Sequence, residues 1–284
     1  MKTKITIVTI VLNDKIGIEK TMLSVLNQSY SELEYIIKDG KSSDGTSIVI
    51  DNLTKQYEGP ISIKHINRED KNIYDAMNQA LYEATSEWII FLNSGDVFVN
   101  NDVLKRVVNF LESTNKCDMI CGDTITDYQG QYGIWRADIN HIDSKFPGCH
   151  QSMVFKTEIC KKYPFNLEYI ISSDFNMVVD IYSNSYKIQQ FPGFIACYSL
   201  EGISANKFAR RIHEYYEIRR KHGYSDKIIR KICKVVVAYI KDFMCRFFPR
   251  KLLSFIKRKY AKAKYGDYKL EMLNKEYNVE NIYE

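Results

Sequence analysis

The residues best suited to charge and proton chemistry are a few acids and amides at the ends of apolar runs. Asp96 closes FLNSGD (91–96), directly after the apolar WII. A carboxylate there, beside Ser94 and Gly95, suits a hard divalent cation, because Mg²⁺ and Mn²⁺ take carboxylate oxygens and complete their shell with phosphate and water. Gly95 would let a diphosphate approach the backbone. An Asx-type turn ending the strand is the plainer alternative. Asp174, in ISSDFNMVVDIY (171–182), falls at or near the start of a helix with apolar positions Phe175, Val178, Val179 and Tyr182. It can take the proton of an attacking hydroxyl or cap the helix. Asp180, further along, reads as solvated. His150 and Gln151 lie in PGCHQS; a lone His is commonly structural, and metal ligation needs companions that this spacing does not offer. Trp135 and Arg136, in GIWRAD, could stack on a sugar and close over phosphate, or belong to the core.

The elements that must position these residues follow an alternating order. ITIVTIV (5–11) predicts a buried strand, 17–27 a helix, LEYII (33–37) a strand, and GTSIVIDNLTKQY a helix. ISIKHI (61–66), IYDAMNQALYEA and WIIFL (88–92) continue as strand, helix and strand. Such alternation implies a mainly parallel sheet with helices on its faces, and ligands bind beyond the carboxyl ends of its strands. The loops there, 12–14, 38–46, 67–72 and 93–96, are all polar and converge on one edge. Past residue 115 the alternation fades into strand-like MICGD (119–123), YGIWRA (132–137) and SMVFK (152–156), a helix near 174–183 and a strand at 188–198. This is α+β material completing the same domain. From 206 onward the pattern is helical.

Composition bounds the class. The chain has 284 residues, 45% of them hydrophobic, ample for a sizeable core. Seven cysteines, odd in number and without a C-x-x-C pair, argue against a disulfide framework or a zinc site and for a reducing compartment. No stretch has the roughly 18 apolar residues of a spanning helix, and the N-terminus reads as a first strand rather than a leader. The net charge of +5 is regional: residues 1–206 carry −7, residues 207–264 carry +15 and the last twenty −3. The basic segment therefore expects a polyanionic surface as partner.

TIVLN (9–13), KDGKSSDGT (38–46), DKNIYDAMNQA (70–80), FLNSGD (91–96) and CHQSMVFK (149–156), in this order and spacing, resemble the family-2 glycosyltransferases of bacterial surface polysaccharide synthesis. The likeness covers about residues 3–205 and is closest to a branch with an LNSGD-type metal motif. It implies a GT-A fold of the α/β class. A nucleotide-sugar-binding half (1–115) and an acceptor half (116–205) would precede a basic amphipathic helical extension (206–284). By this resemblance Thr9 and Asn13 line the nucleotide pocket and Asp39 hydrogen-bonds the base, usually uracil. Asp70, Asp75, Asn78 and Ser94 would lie along the ribose and diphosphate, His150 and Gln151 against the donor sugar or diphosphate. Asp96 would hold Mn²⁺ or Mg²⁺, and Asp174 would be the catalytic base. Three departures stand out: Asn93-Ser94-Gly95-Asp96 replaces the usual D-x-D-D and leaves one carboxylate, Asn72 stands where Gly is common, and Lys41 replaces a frequent Gly.

The implied reaction is an inverting, metal-assisted transfer of a sugar from a nucleotide-sugar, a UDP-sugar by the family's habit. The acceptor would be a polyprenyl-diphosphate-linked saccharide in O-antigen, capsule or exopolysaccharide synthesis. Segment 207–264 would then dock on an anionic membrane, placing the protein on the inner face of the cytoplasmic membrane. Helix packing or a homodimer interface is its alternative use, and no nucleic-acid motif is present. A catalytically silent nucleotide-sugar-binding or scaffold protein is the rival function. A Rossmann dehydrogenase is disfavoured, since no G-x-G-x-x-G follows the first strand.

Overall fold

The computed structural model describes residues 2–114, 117–200, 207–224, 228–247 and 250–277. β1 (Ile5–Val11) is buried along its whole length, the mark of a central strand covered on both faces. It pairs in parallel with β2 (Leu33–Asp39) on one side and β4 (Trp88–Phe91) on the other, and β2 pairs with β3 (Ser62–Asn67). The crossovers are α1 (Lys15–Leu26), α2 (Thr46–Gln56) and α3 (Ile73–Glu83). The register sets Val11, Asp39 and Asn67 level with one another. Three polar loops thus open at one edge of the sheet, as the alternation predicts.

The second half continues this sheet. β8 (Met153–Lys156) adds antiparallel to β4 and is followed outward by β6 (Met119–Tyr128), β9 (Ile188–Ser199) and the short β5 (Val97–Phe98), while β7 (Gln131–Trp135) folds back on β6. One apolar core lies on each face of the sheet. α4 (Val103–Ser113) and α5 (Thr157–Lys162) go beyond the expected elements. α4 nevertheless buries Val103, Leu104, Val107, Val108 and Leu111 at helical spacing.

α6 (Ser173–Ser183) carries Asp174 in its first turn and is covered by α7 (Phe208–Lys221). Phe175 stacks on Tyr215 with ring centroids 4.5 Å apart, and Val179 and Ile218 are buried in the same cluster. Asp180 is not simply solvated: it accepts from Asn176 at 2.7 Å and lies 2.8 Å from His222 Nε2 on α7's C-cap. The boundary expected at 205/206 lies outside the described residues.

α8 (Ile228–Phe247), α9 (Arg250–Tyr265) and α10 (Leu270–Tyr277) complete the chain. α9 lies along β7, where Tyr265 packs against Trp135 at 5.7 Å and Arg258 Nε donates to Gln131 at 3.2 Å. Trp135 is therefore packed by the C-terminal helices, while Arg136 pairs with Asp123 at 2.5 Å over the Phe194 ring. On the basic segment, Lys241 sits 4.2 Å over the Tyr260 ring. Among the described residues no helix is long and apolar enough to cross a membrane.

Candidate active site

The loop after β4 carries the acid that prompts the search for a site. Ser94 N donates to Ile10 O at 3.2 Å, so the strand's pairing with β1 runs on into the loop. α1 pins it from below: Thr21 Oγ1 accepts from Gly95 N at 3.0 Å and donates to Asp96 O at 2.8 Å. Gly95 takes φ +89, a left-handed turn that glycine adopts without strain. Asp96 is thereby turned inward, only 4% exposed.

Asp96 Oδ2 accepts from Gln151 Nε2 at 2.7 Å and Oδ1 from Ser199 N at 3.2 Å. Gln151, itself buried, accepts from the Cys149 thiol at 2.6 Å. Burial raises the Asp96 carboxyl to about 7, against the lowering effect of the Gln151 and Ser199 bonds and of nearby His150. Asp14, the N-cap of α1, adds a smaller upward push and accepts from Ser94 Oγ at 2.8 Å.

Asn93 links this loop to α6. Its Nδ2 lies 3.2 Å from His150 Nε2, and His150 Nδ1 lies 3.3 Å from Asp174 Oδ2. An amide NH2 can only donate, so Nε2 accepts and the neutral ring carries its proton on Nδ1, facing Asp174. His150 and Asp174 remain 18% and 16% exposed, open to an incoming hydroxyl. Asp174 Oδ1 accepts from Phe175 N at 2.8 Å and from Tyr74 OH at 3.3 Å. Tyr74 OH also donates to Ile171 O at 2.7 Å.

Asp96, Gln151, His150 and Asp174 are thus brought together, with Ser94 at one side. Asn93, named in the sequence only as a departure from the usual acid, joins them, as do Tyr74 and Asp14, which were given no role there. Asn93 stands where the family's first acid would be, and Tyr74 lies in the IYDAMN motif, so both carried a signal. Asp14 reads only as a loop residue.

The remaining expected residues have other occupations. Thr9 is fully buried within the sheet, donating to Leu92 O at 2.7 Å and accepting from Tyr35 OH at 3.1 Å. Asn78 holds the Phe165 backbone with both ends of its amide, at 2.8 and 3.0 Å. Asp75 caps its own helix by accepting from Lys71 N at 2.9 Å, while Asn72 Oδ1 accepts from Tyr74 N and Asp75 N. Asn72, where the family often has Gly, is thus the N-cap of α3. Asp70 pairs with the fully buried Lys38 at 2.7 Å. These contacts give Thr9, Asn78 and Asp75 structural roles within the sheet, the 165 turn and the start of α3.

Asp39 and Asn13 do share a loop. Asp39, fully buried, accepts from Ser42 N and Oγ at 2.8 and 2.7 Å and from Ser47 Oγ. Asn13, exposed and at φ +53, accepts from Ser43 N at 2.8 Å. Lys41 in the same loop has φ +64, which explains why a glycine is at home there.

A divalent cation fits the loop after β4 by one observation. Asn93 Oδ1 is buried without a hydrogen-bond partner, a costly state for a carbonyl oxygen unless something positive meets it. Together with the Asp96 carboxylate it offers two hard oxygen donors on one loop. Among the described residues no three His, Cys, Asp or Glu gather as a metal cluster. Water and phosphate oxygens would have to complete the shell.

Comparison with known proteins gives a consistent picture. The family model described as glycosyl transferase family 2 matches residues 6–180. A PGL/p-HBAD biosynthesis glycosyltransferase of Mycobacterium bovis is 27% identical over 169 residues, 59% of this chain and 65% of the relative. The poly(ribitol-phosphate) beta-N-acetylglucosaminyltransferase TarP of Staphylococcus aureus is 26% identical over 122 residues, 42% of this chain and 36% of the relative. The chain thus spans less than two thirds of these curated relatives. Among solved structures, S. aureus TarS 1–349 in complex with UDP superposes with TM-score 0.60 at 15% identity, over 97% of this chain and 78% of that one. Mannosyltransferase PcManGT from Pyrobaculum calidifontis, in complex with GDP-Man and Mn²⁺, gives 0.61 at 16%, over 93% and 76%. At such identities the likeness concerns the fold, which is GT-A-like.

Proposed function

The chain belongs to glycosyl transferase family 2, and from that premise we propose that it moves a sugar, with inversion, from a UDP-sugar to a hydroxyl of a polyprenyl-diphosphate-linked saccharide. The observation that carries the reading is the run Asn93, His150, Asp174, which joins the loop after β4 to the first turn of α6 through contacts of 3.2 and 3.3 Å.

Asp174 takes the proton of the acceptor hydroxyl as that oxygen attacks the anomeric carbon. His150, with Nδ1 facing Asp174 and Nε2 held by Asn93, ties the base to the loop after β4. Asp96 and the Asn93 carbonyl would hold Mn²⁺ or Mg²⁺, which when bound offsets the charge growing on the departing diphosphate. Asp39, which accepts from Ser42 and Ser47 in the loop it shares with Asn13, would receive the nucleotide's base.

The C-terminal helices supply the docking surface for a lipid-borne acceptor. α8 exposes Val236, Ile240, Phe243 and Phe247 along one stripe, and α9 adds Phe255, with Lys259 4.7 Å over its ring. Exposed large apolar side chains among many cations fit an anionic bilayer surface, here the inner face of the cytoplasmic membrane. The relatives named for PGL/p-HBAD biosynthesis and for a poly(ribitol-phosphate) beta-N-acetylglucosaminyltransferase support sugar transfer as the reaction.

A catalytically silent nucleotide-sugar-binding protein of the same fold is the second reading, favoured by the single carboxylate of the NSGD loop. A thermal-shift series with UDP, GDP, dTDP and CMP, with and without Mn²⁺, on wild type and Asp96→Ala tests the first step. Stabilisation by UDP that needs Mn²⁺ and disappears in the variant is the expected result. No shift with any nucleotide far above a plausible dissociation constant would defeat the transferase reading.

A further inference from the structure

Glu214 stands in the middle of α7, in a segment of strongly basic sequence, yet its side chain is fully buried. Burial of a carboxylate is costly unless its oxygens are met by donors. Here Oε1 accepts from Ile170 N at 2.9 Å, and Oε2 accepts from Ile171 N and Ser172 N, both at 2.9 Å. Arg210 Nε, one turn earlier on α7, donates to Oε1 at 2.6 Å. Three consecutive amides of the turn that leads into α6 are therefore gathered on one side chain from another helix.

That turn has further ties to the base. Ile171 O, between two of the gathered amides, accepts from Tyr74 OH, which also reaches Asp174 Oδ1. Ser172 is the N-cap of α6, but its side chain makes no capping bond. Glu214 instead holds the backbone of the turn just before the helix, at Ile170, Ile171 and the Ser172 cap residue itself. α7 is itself secured at its start by α8, whose Asp242 accepts from Phe208 N at 2.7 Å and Ala209 N at 2.9 Å.

We propose that Glu214 is a positioning residue for Asp174: by gathering the 170–172 amides it sets the angle at which the first turn of α6 presents the carboxylate to His150 and the acceptor. The proposal rests on the reading of Asp174 as the base. It makes α7 part of the catalytic apparatus, since a turn held by three charge-assisted bonds keeps an orientation that van der Waals packing alone would leave loose.

The test compares Glu214→Gln with Ile218→Ala, a cavity on the same helix and in the cluster that packs α6. Three readouts are taken on the full chain: UDP and Mn²⁺ binding by titration, amide hydrogen exchange of peptides spanning 165–180, and steady-state kinetics. The kinetics use whichever UDP-sugar the wild type consumes with a lipid extract of its source cells. In Glu214→Gln, binding and donor KM stay within about twofold while kcat falls about 100-fold, and exchange at 170–172 accelerates. Ile218→Ala lowers the melting temperature but keeps kcat within a few-fold. A kcat above half of wild type in Glu214→Gln, or equal losses in the two variants, overturns the positioning role. Should the wild type consume no donor, the transferase reading fails instead, and unchanged exchange at 170–172 in Glu214→Gln would separately remove the brace.

Discussion

His150 Nδ1 lies 3.3 Å from Asp174 Oδ2 although the two residues belong to different elements, one just before β8 and the other in the first turn of α6. This contact binds the proton-accepting group to the loop of Asn93 and Asp96 without any side chain of the loop touching Asp174 directly. It also gives the first prediction. Asp174→Asn should leave UDP binding within about twofold and lower transfer by about 10²–10⁴-fold, the range of a lost general base. His150→Ala should lower kcat by about 10–100-fold, with His150→Gln, which retains an amide to face Asn93, recovering part of it. Steady-state kinetics beside nucleotide titration separates the two effects.

Asp96 makes the protein sensitive to pH. Its carboxyl titrates at about 7 when folded against the ordinary 3.8, so between those values the folded state binds more protons than the unfolded one. Stability without cation should therefore fall as pH rises from about 4 to about 7, and the penalty should be complete above that. Asp96→Asn removes the slope. The melting temperature of the variant relative to wild type, followed across this window, checks the sign.

The same titration couples to cation binding. A divalent ion must displace the proton from Asp96, so Mn²⁺ with UDP should bind more tightly as pH rises toward 7 and release close to one proton per ion below it. Calorimetry in buffers of different ionisation enthalpy measures that proton. Release that is absent in wild type, or persists in Asp96→Asn, would count against Asp96 as the ligand.

Tyr74→Phe removes one hydroxyl that meets both Ile171 O and Asp174. The buried carbonyl loses its donor, and stability should drop by about 1–2 kcal/mol. Denaturant unfolding gives the first number; kcat, expected to fall with donor KM unchanged, gives the second.

Membrane docking through α8 should depend on apolar contact as well as charge. Ile240→Ser, Phe243→Ser and Phe247→Ser together remove exposed side chains worth roughly 1.5–3 kcal/mol each on full burial. Co-sedimentation with phosphatidylglycerol vesicles should weaken by more than tenfold while the melting temperature holds. Unchanged sedimentation would leave the stripe to another partner.

The sequence by itself determined the parallel half of the sheet, because a strand covered on both faces must be apolar throughout, and its crossover helices must show a helical period. The polar loops at its carboxyl edge follow from that order alone. α4 was not among the expected elements, although Val103, Leu104, Val107, Val108 and Leu111 carry the helical period. Asp96, His150 and Asp174 could be named from motif, but their meeting could not, since Asn93 reaches His150 57 positions away, and His150 reaches Asp174 24 further on, only when β8 and α6 close on β4. Thr9, Asn78 and Asp75 each hold a backbone group, in the sheet, at Phe165 and at Lys71, contacts that depend on which backbone groups the fold lays beside them. Glu214 is the extreme case. In sequence it is one acid four residues from Arg210 on a basic helix, the pattern of a solvated surface pair. Only the packing of α7 on α6 buried it and turned it toward three amides, since burial is a property of what the rest of the chain lays over a residue.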